Sequence, residues 1–332
     1  MLTNPLQIMF TPTQLLEKVN AALAALPLPA APEGLYAPIV YDLSSGGKRL
    51  RPVLLLMTYN LYRHDVELAL PAAVGLEIYH NHTLLHDDLM DNADVRRGRP
   101  TVHRRWGANT AILSGDAMLI LAFSQIAACH CPQHGRVLEL FARTAREVCE
   151  GQQLDMDFEH RTDVTEAEYV EMIRLKTSVL LACAARMGAL VATAPEADAD
   201  ALYAFAERVG LAFQLQDDYL DVYGDPAVFG KATGGDILCG KNTFLLVGAR
   251  ARADREQRRR LDALLADSTL PDAEKIAGVT AVYDELGMAD ACREAIDAYY
   301  AEARRWLERI AAPAGETEAL WAYAASLLNR TV

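Results

Sequence analysis

The apolar residues of this chain recur at intervals of three and four, and this periodicity constrains the fold more than any other feature. The stretch between Pro132 and Pro195 contains no proline, and Val137, Leu138 and Phe141 show the helical spacing within it. Strands need alternating runs of β-branched and aromatic residues between turn residues, and this Ala- and Leu-rich sequence offers almost none. The sequence therefore predicts an all-α fold.

Predicted helices cover most of the chain. Two long helices are expected between Pro132 and Pro195, with a break near 162–165. Further helices are predicted near 13–25, 48–62, 68–92, 106–130, 198–224 and 241–252, with shorter ones afterwards. Segments rich in Gly, Pro and charge are expected to be irregular at 27–34, 93–103 and 224–240. Because no repeat or linker divides the pattern, one domain is predicted over residues 1–332.

Charge and composition exclude several classes of protein. The 32 Lys and Arg against 45 Asp and Glu give a net charge of −13, which repels nucleic acid and anionic lipid, so no nucleic-acid partner is expected. The six Cys form no CxxC pair, which favours a reducing, cytoplasmic setting. The start of the chain lacks the features of a signal peptide. The longest apolar run, 117–131, is interrupted by polar residues and shorter than the roughly 18 residues of a membrane span, so no span is predicted.

One acidic pattern occurs twice. The carboxylates have the spacing i, i+1, i+4: Asp87, Asp88 and Asp91 in LLHDDLMD, and Asp217, Asp218 and Asp221 in LQDDYLD. At about 100° per residue, the first and third Asp share a helical stripe and the second lies roughly 80° aside. A solvated acidic face is the alternative interpretation of either copy alone. Two clusters of like charge are unfavourable in a helix, however, unless cations lie among them.

The ligands themselves indicate which cation is bound. Carboxylates without neighbouring His or Cys ligands favour hard ions. Mg²⁺ takes one or two carboxylates, keeps several waters and completes its coordination with phosphate oxygens. The sequence therefore predicts a phosphate ester held through Mg²⁺.

Basic residues accompany the acidic clusters. They are Lys48, Arg49 and Arg51 in GGKRLRP, Arg96, Arg97 and Arg99 in ADVRRGRP, and Lys231 and Lys241 around the loop after the second cluster. Such cations bind diphosphates through charge-assisted hydrogen bonds, although each group alone is typical of a solvated surface. His80 lies seven residues before Asp87 on the same stripe and is placed to donate to a second diphosphate.

These motifs resemble the trans-prenyl diphosphate synthases, or polyprenyl synthetases, across nearly the whole chain. The matching blocks include GGKRLRP, HDDLMDNADVRRGRPTVH, GQQLDMD, RLKTSVL and FQLQDDYLDVYGDPAVFGKATGGD. The resemblance implies the isoprenoid synthase fold, a single-domain bundle of antiparallel helices around a deep central cavity, in a homodimer. It also implies a transferase of isoprenoid biosynthesis that condenses isopentenyl diphosphate head-to-tail with dimethylallyl, geranyl or farnesyl diphosphate.

The resemblance implies a role for each matching residue. Three Mg²⁺ would gather around the allylic diphosphate, held by Asp87, Asp88, Asp91, Asp217, Asp218 and Asp221. The same diphosphate would contact Arg96, Lys176, Lys231 and Lys241. Isopentenyl diphosphate would contact Lys48, Arg51, His80 and Arg97. Thr177 and Gln214 would present oxygen dipoles to the allylic cation, and the departing pyrophosphate would take the final proton.

Lys176 is a candidate anion-binding residue on the sequence alone. It stands in the apolar stretch RLKTSVLLACAA, where burial of an unpaired ammonium would be costly. A bound anion would remove that cost. The alternative is a lysine that reaches solvent at the helix surface.

Product length is expected to depend on the residues before the first cluster. One helical turn of about 5.4 Å roughly matches one isoprene unit. Tyr79 and His82 are bulky and lie eight and five residues before Asp87, whereas Thr83 is small. Bulky side chains at these positions would form a floor that stops growth of the isoprenoid chain. They therefore predict a short product, geranylgeranyl or farnesyl diphosphate. Because the first motif lacks the two-residue insertion typical of bacterial farnesyl synthases, geranylgeranyl is favoured.

Two alternatives share the predicted fold. A non-catalytic subunit of a heteromeric prenyl synthase would usually lose Asp or Lys positions, and those are intact here. A class I terpene cyclase would typically carry Asn or Asp, Ser or Thr, and Glu in its second metal motif. The sequence QDDYLD argues against a cyclase.

Overall fold

A computed structural model describes residues 9–225 and 233–328. The first part contains α1 (Pro12–Ala24), α2 (Glu33–Leu43), α3 (Leu50–Asn60), a 3₁₀ turn (Val66–Leu68), α4 (Leu70–Met90), β1 (Val95–Arg96), β2 (Arg99–Pro100), α5 (Val102–Trp106), α6 (Ala108–Ala127), α7 (His134–Phe158), α8 (Glu166–Ile173), a π-helical segment (Arg174–Ser178), α9 (Val179–Val191) and α10 (Glu196–Tyr223). The second part contains α11 (Gly235–Cys239), α12 (Phe244–Arg252), α13 (Arg255–Ala266), α14 (Asp272–Glu285), α15 (Met288–Leu307) and α16 (Ala314–Leu328). The predicted all-α class is confirmed.

Local signals explain several helix boundaries. Thr11 caps α1 and Thr165 caps α8, each in a capping box with Gln14 and Glu168 respectively. The expected break near 162–165 therefore lies just before α8. The expected irregular segment 27–34 is irregular up to residue 32, where the unpredicted α2, which tolerates Pro38, begins, and the expectation for 224–240 was wrong at the short α11.

The prediction of a purely helical chain also missed a small hairpin. β1 and β2 pair in antiparallel fashion, with Val95 opposite Pro100 and Arg96 opposite Arg99. Both residues of the connecting turn, Arg97 and Gly98, have positive φ, of 52° and 73°. Two-residue hairpin turns of the type I′ class require this conformation.

The described chain divides into two compact units. Of the described residues, the first comprises 9–142, 183–202 and 311–320, and the second comprises 143–182, 203–225, 233–310 and 321–328. In the first unit α4 is the central helix, buried at every position from 72 to 79 and packed against α1, α2, α3 and α6. A side chain at Gly75 would meet the carbonyl oxygen of Ala122 at 2.8 Å, so glycine allows α4 and α6 to approach closely.

The second unit has its own core. Its buried residues come from α8, the later part of α10, α12, α14 and α15, and they include Tyr169, Leu215, Phe244, Tyr283 and Met288. α12 packs against α8, α14 and α15. The prediction of a single domain over 1–332 stays a prediction.

One described helix is long and apolar enough to cross a membrane by length and composition. It is α6, Ala108–Ala127, in which 33% of the 18-residue apolar stretch is buried. The apolar run that was predicted to be too short for a membrane span, 117–131, leaves out the first nine residues of this helix. Length and composition are also met by helices that pack within or between proteins.

Candidate active site

The first acidic cluster lies at the end of α4, next to the hairpin. The Arg96 Nε atom lies 2.6 Å from Asp88 Oδ1, and its Nη2 atom lies 3.6 Å from Asp87 Oδ2. Burial raises the pKa of Asp88, and the Arg96 guanidinium opposes this rise. Asp91 is exposed at the C-cap of the helix. The middle carboxylate is thus an anchored, buried group, and its neighbours are more accessible.

The residues predicted to bind isopentenyl diphosphate lie in or near the loop between α2 and α3, residues 44–49, which we call the basic loop. Arg51 Nη1 lies 3.1 Å from His80 Nε2 on α4. Burial lowers the pKa of Arg51 to about 10 and, with the charge of Arg51, holds that of His80 well below its usual value. Arg97 donates to the Gly46 carbonyl and, at 3.1 Å, to Ser45 Oγ. Lys48 is exposed at the same loop.

The second acidic cluster lies late in α10 and is held by neutral donors. The Tyr169 hydroxyl and, at 3.0 Å, the Phe244 N–H both donate to Asp218 Oδ2. Gln214 Nε2 donates to Asp218 Oδ1 at 3.2 Å, and Thr177 donates to Gln214 Oε1 at 3.3 Å. Burial raises the pKa of Asp218 to about 7, although these hydrogen bonds oppose the rise. Thr177, Gln214 and Asp218 therefore form one connected chain.

Asp236 adds a carboxylate that the sequence analysis did not single out. Its backbone N–H donates to Asp221 Oδ2 at 3.0 Å. Burial and the neighbouring Asp221 raise the pKa of Asp236 to about 6, while Lys241 lowers it. The GGD sequence at the end of the matching block that contains the second acidic cluster was the available signal. Lys231, predicted to contact the allylic diphosphate, lies outside the described residues.

Lys176 has a protein partner. Its Nζ atom lies 2.5 Å from Asp155 Oδ2 of α7, so a bound anion is not required to balance the ammonium. The sequence interpretation missed this ion pair, although Asp155 stands in the GQQLDMD block. A side chain at Gly151 would lie 2.3 Å from the Lys176 backbone nitrogen, so glycine lets the π-helical segment approach α7 closely.

The residues predicted to limit product length lie inside the first unit. The buried Tyr79 ring packs edge-on against Phe141 with centroids 5.1 Å apart. His82 Nδ1 lies 2.9 Å from the Gly115 carbonyl oxygen of α6, and burial lowers the pKa of His82 to about 4. The hydroxyl of Thr83 donates to the His80 carbonyl at 2.8 Å. A neutral His82 and Tyr79 thus form a bulky layer between helices, and their role as a floor stays a prediction.

The side chains of both clusters suit a magnesium ion bridged to phosphate. Within 9–225 and 233–328, no three His, Cys, Asp or Glu side chains already form a complete metal site. Mg²⁺ does not need one, because it binds through one or two carboxylates plus substrate phosphates and water. Each cluster by itself offers carboxylate oxygens of this kind, Asp87 and Asp91 in the first unit and Asp217 and Asp221 in the second.

Comparison with known proteins identifies the group to which these features belong. The family model for polyprenyl synthetase matches residues 32–286. A geranylgeranyl diphosphate synthase of Methanosarcina mazei is 44% identical over 234 residues, covering 70% of this chain and 72% of that protein. A crystal structure of a geranylgeranyl pyrophosphate synthase is 40% identical, with a TM-score of 0.92 over 98% of this chain and 100% of the other. A Caulobacter crescentus polyprenyl synthase, solved with calcium and isoprenyl diphosphate, is 29% identical, with a TM-score of 0.81 over 97% of this chain and 95% of the other.

Proposed function

Because the chain belongs to the polyprenyl synthetase family and is a short-chain trans-prenyltransferase that condenses isopentenyl diphosphate with allylic diphosphates, we propose geranylgeranyl diphosphate as its main product. The proposal is supported by the bulky layer of Tyr79 and His82, which lie eight and five residues before Asp87, and by the geranylgeranyl synthases among the similar proteins. The fold is that of the isoprenoid synthases.

The family implies catalysis that depends on a divalent metal. We propose three Mg²⁺, bound through Asp87, Asp88, Asp91, Asp217, Asp218 and Asp221. When bound, Mg²⁺ neutralises the negative charge that develops on the departing pyrophosphate. Asp88 and Asp218 are buried and already hydrogen-bonded, so we assign the larger share of the metal contacts to the less buried carboxylates beside them.

The chain's own cations have two proposed tasks. Arg96, Lys176, Lys231 and Lys241 contact the allylic diphosphate and stabilise its charge as the carbon–oxygen bond breaks. Lys48, Arg51, His80 and Arg97 hold isopentenyl diphosphate. The hydrogen bond between Thr177 and Gln214 holds their side-chain oxygens in place beside the allylic cation. The double bond of isopentenyl diphosphate then attacks this cation, and pyrophosphate removes the final proton.

The experiment that tests this function uses the purified chain alone. It is incubated with Mg²⁺, isopentenyl diphosphate and each allylic primer in turn, and the dephosphorylated products are sized. We expect geranylgeraniol from every accepted primer and no product with EDTA. A farnesyl or longer main product would contradict the proposed product length. No condensation with any primer would instead favour the non-catalytic subunit, and a cyclic hydrocarbon would favour the terpene cyclase.

We propose that the enzyme is a cytoplasmic homodimer. Its six cysteines are all free, as expected in a reducing compartment. α6 exposes an apolar stripe that includes Leu113 and Ile120, which are 60% and 66% exposed. A second copy of the chain would cover this stripe. Sedimentation of Leu113→Glu with Ile120→Glu is expected to show a monomer, whereas a dimer would overturn this interface.

A further inference from the structure

A buried ion pair lies directly beneath the basic loop of the first unit. Arg49 Nη1 is 2.7 Å from Glu77 Oε1, and the two side chains are only 3% and 2% exposed. Arg49 stands between Lys48 and Leu50 at the start of α3, and Glu77 lies on α4, one turn before His80. Neither side chain is among those assigned above to a substrate or a metal ion.

Arg49 connects the loop to three helices at once. Besides Glu77, its guanidinium donates to the Leu43 carbonyl at the end of α2 at 2.7 Å, and to Asn20 Oδ1 of α1 at 3.3 Å. Glu77 Oε1 also accepts from Asn81 Nδ2 at 3.0 Å, which fixes the carboxylate on α4. A planar guanidinium with several donors in a fixed geometry is suited to this kind of junction, and a lysine is not.

The backbone at this position needs such support. Arg49 adopts a left-handed conformation with φ of 48°, following Gly46 and Gly47 with φ of 80° and 123°. A residue other than glycine is strained in this left-handed region of φ. Such a residue keeps this conformation only where the surrounding contacts stabilise it. Because Arg49 caps α3, its backbone conformation sets the directions in which Lys48 and Arg51 leave the loop.

Glu77 also balances the charge of the loop. Burial lowers the pKa of Arg51, burial and the charge of Arg49 lower that of Arg97, and the Glu77 carboxylate opposes both decreases. The Arg51 Nε atom is buried and has no hydrogen-bond partner among the described residues. Arg51 thus retains one N–H donor whose hydrogen bond no described residue accepts.

We propose that Arg49 and Glu77 are positioning residues for isopentenyl diphosphate: their buried ion pair holds the loop so that Lys48 and Arg51 meet its diphosphate. This inference rests on the proposed substrate assignment of Lys48 and Arg51. The pair itself touches no substrate. Its loss therefore weakens binding of isopentenyl diphosphate selectively and leaves binding of the allylic substrate unchanged.

The test separates positioning from stability. Arg49→Met leaves the Glu77 charge buried and unpaired, whereas Arg49→Met with Glu77→Met replaces the pair by apolar side chains, which often restores stability. Both variants are expected to raise KM for isopentenyl diphosphate at least tenfold, with KM for the allylic substrate within twofold of wild type. The double variant is expected to recover thermal stability without recovering this KM. Calorimetric titration with isopentenyl diphosphate alone checks the loss of affinity directly.

A control variant addresses destabilisation in general. Asp198 is buried in the first unit and accepts a hydrogen bond from Tyr62, so Asp198→Ala should lower the melting temperature without altering either KM. If the double Met variant has wild-type stability and a wild-type KM for isopentenyl diphosphate, the inference is wrong. An equal rise in both KM values would also overturn it. If wild type itself forms no product from isopentenyl diphosphate, the proposed function fails instead, which is a different outcome.

Discussion

The two acidic helix ends have the same spacing and different surroundings. At the end of α4, a cation, Arg96, lies 2.6 Å from the middle carboxylate Asp88. Late in α10, among the described residues, the middle carboxylate Asp218 accepts from three neutral donors, namely the Tyr169 hydroxyl, the Gln214 amide and a backbone N–H. The middle carboxylate of the first cluster is thus paired with a cation, whereas that of the second is held by neutral groups. The same motif is therefore stabilised in two different ways.

The largest expected effect is the loss of an accessible carboxylate. Asp87→Ala and Asp217→Ala should each lower kcat by about 1,000-fold, because charge on the leaving pyrophosphate is no longer stabilised. Asp217→Ala should also raise the Mg²⁺ concentration for half-maximal rate more than Asp87→Ala, since Asp88 of the first cluster is paired with Arg96, whereas the described hydrogen-bond donors of Asp218 are neutral. Steady-state rates across a Mg²⁺ titration measure both effects. Asp225→Ala is the matched control, and equal Mg²⁺ requirements in both variants would contradict the contrast.

The residues that hold the two middle carboxylates, Arg96 at Asp88 and Tyr169 at Asp218, should differ in how strongly their loss lowers kcat/KM. Arg96→Gln removes a charge-assisted contact and a proposed diphosphate ligand, so we expect a fall in kcat/KM of about 100-fold. Tyr169→Phe removes one neutral donor from Asp218, and the expected fall is about tenfold. Tyr62→Phe, which loses a Tyr–Asp hydrogen bond elsewhere, should retain full activity. A Tyr169→Phe enzyme with wild-type kinetics would show that Asp218 needs no orientation.

Buried groups on α10 and α4 should give opposite pH dependence of stability. The pKa of Asp218 is raised to about 7, so the stability it contributes is present at low pH and is lost as the pH rises towards 7. The pKa of His82 is lowered to about 4, so its contribution is present above pH 6.5 and is lost as the pH falls. We expect each effect to be on the order of 2 kcal/mol. Both contributions change between about pH 4 and pH 7, in opposite directions, so in urea unfolding over this range the stability of Asp218→Asn should fall less with rising pH than that of wild type, and the stability of His82→Gln should rise less.

Substitutions in the layer of Tyr79 and His82 should have the smallest effect on rate, but they should clearly change the length of the product. Tyr79→Ala with His82→Ala should lengthen the main product by one isoprene unit or more, because space opens beside α4 and no catalytic group is lost. Chromatography of the dephosphorylated products measures this change. Tyr79→Phe keeps the ring and should leave the product unchanged. An unaltered distribution in the double variant would refute the proposed floor.

The long helices were predictable because their apolar periodicity is strong. The helices predicted at 68–92 and 198–224 are observed at Leu70–Met90 and Glu196–Tyr223. The hairpin at 95–100 was missed because it is short and its turn depends on Arg97 in a conformation that favours glycine. α2 was missed because its sequence begins in a proline-rich segment and contains Pro38.

Spacing alone also identified both acidic clusters and the basic loop. It did not identify the partners Asp155, Tyr169 and Asp236, which are separated from Lys176, Asp218 and Asp221 by 21, 49 and 15 residues. Local patterns carry no information about such pairs. Glu77 was missed for the same reason, 28 residues from Arg49.

The amino-acid sequence by itself determined the helical class, the two carboxylate triplets and the cations that accompany them, because these depend on intervals of a few residues along one helix. Tertiary structure alone decided that Asp88 and Asp218 are buried anchors, that Lys176 pairs with Asp155, and that Arg49 pairs with Glu77. The physical reason is that burial and the choice of a partner depend on which distant segments pack together.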